Sequence, residues 1–298
     1  MVHFGEHTRS YMSLSIQTNV LSLGARGHLQ RSQRALAKNF ARISSGERIH
    51  SASDDAAGLA VAENLSAQHG SSRVAARNIN DGLGMIATAE GALDEIADIL
   101  KRQRELAIQY SSDTLGDTER GYAQDEFDAL KEEVNRISET VEFNGIKLSH
   151  SGSPWTGSEL DVQVGIHDSA DDRIAIKVRK MDHDSLRFAA TQFHSVSFNN
   201  PKLNNVSNAR AAIDGLGYML DVVNKYRGEN GAVHNRLTAA LNNLETHGEN
   251  LAASESRIRD ADFAFETAQM SKHQIMQQAG TAVLGQANAL PQSALRLI

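Results

Sequence analysis

The sequence predicts a mainly α protein, a long antiparallel coiled-coil or helical-bundle rod with a small β-hairpin annex. Three observations carry that expectation. An apolar side chain returns at every seventh position through Leu216, Val223, Asn230, Leu237, Leu244, Leu251, Ile258 and Phe265, with Asn230 the one polar stop. Such a stripe holds one narrow face against a partner helix, and at ~1.5 Å per residue it spans roughly 75 Å. A second stripe, in alternating steps of three and four, runs through Ile79, Leu83, Ile86, Leu93, Ala97, Leu100 and Ala107. The composition agrees: 298 residues include only 3 prolines, 1 tryptophan and 5% aromatics, which suits helix-to-helix stripes better than one large globular core.

Bulk properties exclude several classes. The absence of cysteine removes disulfide frameworks and thiolate metal sites. A net charge of −7 argues against nucleic-acid binding, which calls for a basic face. No apolar run approaches the ~18 residues of a spanning helix, so no membrane insertion is expected, and no signal peptide is visible.

Residues 1–12 show no periodicity and read as an N-terminal extension, with Met12 an alternative start. Within it, His3-Phe-Gly-Glu-His7 matches the H-x-x-E-H zinc-peptidase pattern. That motif needs a rigid helix to put both imidazoles on one face, whereas Gly5 sits between them near a chain end. No third ligand can be named. From Thr8 to Gly46 the chain lacks acidic residues but carries Arg9, Arg26, Arg31, Arg34, Lys38 and Arg42, with Leu29, Leu36, Phe40 and Ile43 on one stripe. A transit peptide, a membrane-surface helix and a solvated helix face all fit this stretch taken alone.

The segment from Ser44 to Asp55 breaks the periodicity, and Asp54 and Asp55 are placed to cap the next helix, with carboxylates at its positive end. An acid–base reading of the pair lacks a partner base or a pocket residue. A long helix is expected over roughly 55–110, interrupted on its stripe by Glu90, followed by a turn at 111–117. A third helix over 118–141 turns Phe127, Leu130, Val134 and Ile137 inward. From Phe143 the texture changes. An Asn-Gly pair and two period-two runs beginning at Leu160 and Ile174 predict two or three β-hairpins near 141–182. Residues 186–208 are polar and Asn-rich and read as a short surface crossing. Helix resumes near Ala209. The tail from Ala264 carries few charges and is amphipathic without a core of its own.

No P-loop, dinucleotide turn or Ser/His/Asp elbow is present, so neither enzyme nor cofactor is expected. A rod whose ends carry unpartnered apolar stripes is by default an assembly subunit.

The ordered motifs now resemble the bacterial flagellin family over essentially all of 12–298. They are Ile16-Gln-Thr-Asn19, Arg42-Ile-Ser-Ser-Gly46, Ser53-Asp-Asp-Ala-Ala-Gly-Leu-Ala60, Arg104-Glu-Leu-Ala-Ile-Gln109 and Phe143-Asn-Gly145. At the far end stand Gln277-Gln-Ala-Gly280, Ala287-Asn288 and Leu290-Pro-Gln292. Two features depart from the family pattern: Asn230-Gly-Ala232 stands where Leu-Gly-Ala is usual, and the extension before Ile16 is unusual.

The resemblance implies an extracellular filament subunit for motility, exported unfolded through the flagellar type III channel without a cleaved signal peptide. Its segments 13–55 and 259–298 would be disordered in the monomer and form an inner coiled coil on assembly. Segments 56–190 and 206–258 would make the outer-core rod, with 186–208 replacing the variable outer domains of longer relatives. Implied partners are other copies of the chain (with or without other flagellins), an export chaperone at the C-terminal segment, the filament cap and the hook-associated junction proteins. Leu290, Pro291, Gln292, Leu295, Leu297 and Ile298 would form a terminal polymerisation segment. The resemblance also implies a surface for the flagellin-sensing Toll-like receptor of animal hosts and for neighbouring subunits at Arg102, Leu106 and Glu126. There Lys101 replaces a frequent Gln, and the four-residue spacing of Arg102 and Leu106 suggests one shared face. Alternatives are a hook–filament junction protein of the same superfamily, a chemoreceptor-like hairpin or secreted translocator, and a zinc peptidase.

Overall fold

The computed structural model describes residues 18–114, 116–149, 159–194 and 201–295. The extension at 1–12, with His3 and His7, lies outside them. The described residues form helices α1 (Val20–Ser45), α2 (Ala56–Tyr110), α3 (Asp117–Thr140), α4 (His183–His194), α5 (Val206–Arg259) and α6 (Phe263–Leu295). Between α3 and α4 lie two antiparallel strand pairs, β1 (Glu142–Phe143) with β2 (Ile146–Lys147) and β3 (Glu159–Gln163) with β4 (Arg173–Lys177). The class is mainly α with a β annex, as the periodicities require. The chain divides into two units, residues up to 66 with those from 252 onward, and residues 67–251. The dividing points fall within α2 and α5, several residues inside the boundaries expected near 55 and 259.

In unit 67–251, α2 and α5 run antiparallel. Ser72 Oγ donates to the Leu244 carbonyl at 3.1 Å, and the Arg227 guanidinium meets Glu90 at 2.7 Å and Asp94 at 2.8 Å. The Glu90 interruption is therefore an ion-paired rung. One core gathers Leu93, Leu100, Phe127, Leu186, Leu216 and Val223 from α2, α3, α4 and α5. A second joins Ile79 and Ile86 of α2 to Val162, Ile174 and Ile176 of the strands and to Leu237 and Leu244 of α5. Here the two periods meet: every second strand residue and every third or fourth helix residue face the same apolar layer. The β1–β2 turn is Asn144-Gly145, with φ of 50° and 76°, the left-handed pair that a two-residue hairpin needs. The turn from α2 to α3 is held by Arg120, which donates to the carbonyls of Tyr110 and Ser112.

The stretch 186–208 corrects the expected surface crossing. Much of it is α4, whose Leu186 and Ala190 are fully buried four residues apart, and Leu203 beyond it is also enclosed. The polar residues around them mask this single apolar face.

In the other unit, α1 and α6 pair antiparallel. Asn19 Nδ2 donates to the Ala287 carbonyl at 2.8 Å near one end, and Ala261 N–H donates to the Gly46 carbonyl at 2.8 Å near the other. Asn19 caps α1 through Ser22 N–H at 3.0 Å, and Gly46 ends it at φ 76°, where a residue with Cβ would be strained.

Candidate assembly surfaces

The interior of the α1–α6 pair is unlike a hydrophobic core. The α1 positions turned inward step by three and four through Ser22, Ala25, Leu29, Ser32, Leu36, Asn39 and Ile43. Those of α6 step through Glu266, Met270, His273, Gln277, Gly280, Leu284 and Ala287. Nine of these fourteen groups are polar or very small. Many large apolar side chains point away instead: Val20, Leu21, Leu23, Phe40, Phe263, Phe265, Ile275 and Val283 are all exposed. Phe40 therefore leaves the stripe expected for α1, and Asn39 occupies the inward position beside it.

One layer of the seam is charged. Glu266 is only 3% exposed. Asn39 Nδ2 donates to its Oε2 at 2.7 Å and Arg42 Nη1 to its Oε1 at 3.0 Å. A buried carboxylate requires such partners, because desolvation without them costs several kcal/mol. The sequence pattern shows Arg42 only as part of a basic stretch and a motif, and it gives none of the three a place in the seam. Their signal was the seven-residue step from Glu266 through His273 and Gly280 to Ala287, overshadowed by the stripe that ended on Phe265.

That stripe is corrected at its last position. Leu216, Val223, Leu237, Leu244 and Leu251 are buried, and Asn230 and Ile258 are half-buried. The helix then stops at Arg259. Asp262 accepts from the Ala264 and Phe265 N–H groups at 2.9 and 3.1 Å and starts α6 afresh, so Phe265 is rotated out to 58% exposure. The helix break beside it is tied to the loop after α1: Arg48 N–H donates to the Arg259 carbonyl at 2.7 Å. The Arg259 guanidinium meets Glu47, Glu63 and Glu255 at 3.0, 3.3 and 3.5 Å.

The expected cap pair divides its labour. Asp55 Oδ1 accepts from Gly58 N–H at 2.9 Å and caps α2. Asp54 does not cap. It accepts from Ser51 and the His50 N–H within the loop and pairs with Lys38 of α1 at 2.5 Å. The Lys38 ammonium hydrogen bond is the main reason its carboxyl is held down to about 2.

Arg102 and Glu126 lie together on α2 and α3, exposed, with Nη2 and Nε of the arginine 2.8 and 3.1 Å from one carboxylate oxygen. Leu106 does not join them. It is 2% exposed and packs in the core with Leu100 and Phe127. Four residues of spacing rotate the helix by more than one turn, and that surplus carries Leu106 past the rim. The pairing of an arginine with an exposed leucine anchor is thus corrected. The α6 backbone stays helical to Leu295; the side chains of Leu290, Pro291, Gln292 and Leu295, and Leu297 and Ile298 entirely, lie outside the described residues. Among the described residues no cluster of three His, Asp or Glu could hold a metal, and no helix is long and apolar enough to cross a membrane.

Comparison with known proteins fits this arrangement. Residues 16–151 match the bacterial flagellin N-terminal helical region and residues 213–298 the bacterial flagellin C-terminal helical region. A flagellin of Halalkalibacterium halodurans is 39% identical over 271 residues, covering 91% of this chain and 93% of that one. A flagellin of Bacillus subtilis (strain 168) is 36% identical over 307 residues, covering 96% and 100%. A flagellar hook-associated protein from Vibrio parahaemolyticus shares the fold at a TM-score of 0.55 over 70% of this chain and all of its own, at 14% identity. That identity speaks to fold alone, and a junction protein is not the favoured reading. With both terminal regions matched and relatives aligned along nearly their whole length, the chain belongs to the bacterial flagellin family and is a structural subunit of the filament.

Proposed function

We propose that the α1–α6 pair completes its burial only when other copies of the chain cover its outward apolar faces, and that this drives polymerisation. The carrying observation is the inversion just described: Phe40, Phe265, Ile275 and Val283 face solvent while Glu266 and Asn39 face inward. Ordering the backbone costs about 1–2 kcal/mol per residue, and the little apolar area inside the pair cannot offset that over two helices. The terminal segments then stay disordered in the monomer and order on assembly. Disordered ends also suit export of an unfolded chain through the type III channel to the cell exterior. A chaperone covers the C-terminal segment that includes Leu290 and Leu295, and the cap and hook-associated proteins hold the filament ends. The chain acts as a building element with no catalytic role.

Changing Phe265 and Ile275 together to Glu leaves a soluble monomer with an unaltered melt but no polymer under seeding with filament fragments. Normal filaments from that variant, seen by electron microscopy, would overturn the reading. Removing Leu290–Ile298 gives the same loss.

For Arg102 and Glu126 we propose contacts with a neighbouring subunit and with the flagellin-sensing Toll-like receptor, without Leu106. Arginine at a desolvated interface is a frequent hot spot, worth ~2 kcal/mol or more, so Arg102→Ala weakens both signalling and assembly. A silent wild-type monomer in a reporter-cell assay, at concentrations where an agonist flagellin saturates, excludes the receptor.

A further inference from the structure

We propose that the Asn39–Glu266–Arg42 layer is the register lock of the α1–α6 pair, selecting one alignment of a chain's two terminal helices as copies come together. The inference rests on the assembly reading above.

The need for a lock follows from the repeat. On α1 the seam leucine and isoleucine recur seven apart at Leu29, Leu36 and Ile43, and on α6 small residues recur seven apart at Gly280 and Ala287. Leu29 packs against Gly280, where an added Cβ would lie 3.4 Å from Leu29 Cδ1. A slide of one heptad puts Leu36 or Ser22 in that place, so the repeat itself distinguishes the alignments only weakly. The backbone bonds Ala261–Gly46 and Arg48–Arg259 hold one end of the pair, and the Asn39–Glu266–Arg42 layer lies on the seam beside them. Coiled coils with a repeating seam need a polar layer to fix register.

Glu266 supplies the discrimination because it is the one acidic residue of α6, while α1 has none. In the observed register it meets Asn39 and Arg42. A slide of one heptad in one direction sets it against Ser32 and Ala35, neither of which carries charge. The opposite slide sets it against Gly46 and Ile49, past the end of α1. Either way a buried carboxylate loses its cation, which is strongly unfavourable. The layer is not built for strength: Arg42 gives a single N–H to the carboxylate, and its buried Nε has no partner. A pair that contributes little net stability but penalises every other alignment is a specificity device.

The chain contains no cysteine, so engineered pairs report register cleanly. In filaments, Leu29→Cys with Gly280→Cys cross-links within one chain, and Ser22→Cys with Gly280→Cys does not. Adding Glu266→Leu raises the Ser22/Gly280 product at least roughly tenfold. The exchange Glu266→Arg with Arg42→Glu returns the native product, which also covers the case in which Glu266→Leu alone assembles poorly. An unchanged Ser22/Gly280 fraction in Glu266→Leu filaments, or no rescue by the exchange, overturns the lock. Failure of the parent cysteine chains to form any filament would instead count against the assembly reading.

Discussion

The two units differ in how much large apolar side chain they enclose. Within 67–251 the fully enclosed groups include the large apolar side chains of Leu93, Ile96, Leu100, Phe127 and Leu216, and each removes apolar area from water at about 25 cal/mol per Å². Along the α1–α6 seam the enclosed groups include Ser32, Asn39 and Glu266, while Phe40, Phe265 and Ile275 look outward. Both regions are helices with three-and-four spacing. The difference teaches that periodicity fixes which residues share a face, whereas the content of that face sets how much its burial contributes to stability.

The largest effect that sharpens this contrast is a core truncation. Phe127→Ala removes a fully buried ring from α3 and should cost about 3–5 kcal/mol in a urea melt of the monomer. The equivalent change at Phe265 should leave that melt unmoved. Equal losses at both sites would erase the distinction.

A smaller effect comes from His183, buried at the start of α4 with no hydrogen-bond partner on either ring nitrogen. Burial first, then Lys131 on α3 and Arg187 on α4, hold its pKa down to about 4, against the opposing pull of Asp182 and Asp184. The unfolded chain takes up this proton near 6.5 and the folded chain only near 4. Stability is therefore full above about pH 6.5 and falls by up to roughly 3 kcal/mol as the pH drops to about 4. His183→Phe should flatten that part of the profile in urea melts taken between pH 7 and 4.5.

Smallest is Asn230, half-buried beside a cavity of about 20 Å³ lined also by Arg179 and Tyr226. Asn230→Leu should add about 1 kcal/mol or less by filling the stripe. A lower melting temperature would show that Asn230 has a polar partner that leucine cannot replace.

Much of this molecule is legible in its sequence where one signal dominates. The α2 and α5 stripes, the Asn144-Gly145 turn and the alternation at Ile174 and Ile176 each follow from a single local rule. Legibility fails where two rules compete. The apolar step at Phe265 continues the α5 heptad, but Asp262 restarts the helix and resets the phase. Leu106 lies four residues from Arg102, yet a turn holds 3.6 residues, and the core claims the leucine. Leu186 and Ala190 form too short a stripe to stand out among polar neighbours. Asn39, Arg42 and Glu266 could be read as surface residues until the structure brought two chain ends 224 residues apart together.

The central claim is that 67–251 is folded by itself while α1 and α6 are folded by assembly. Hydrogen exchange at the backbone amides tests it most directly, comparing monomer with polymer. The account predicts strong protection at Leu93, Phe127 and Leu216 in both states. Amides of α1 and α6 should exchange freely in the monomer and become protected only in the polymer. Protection of α1 and α6 in the isolated monomer equal to that of the 67–251 core would contradict it.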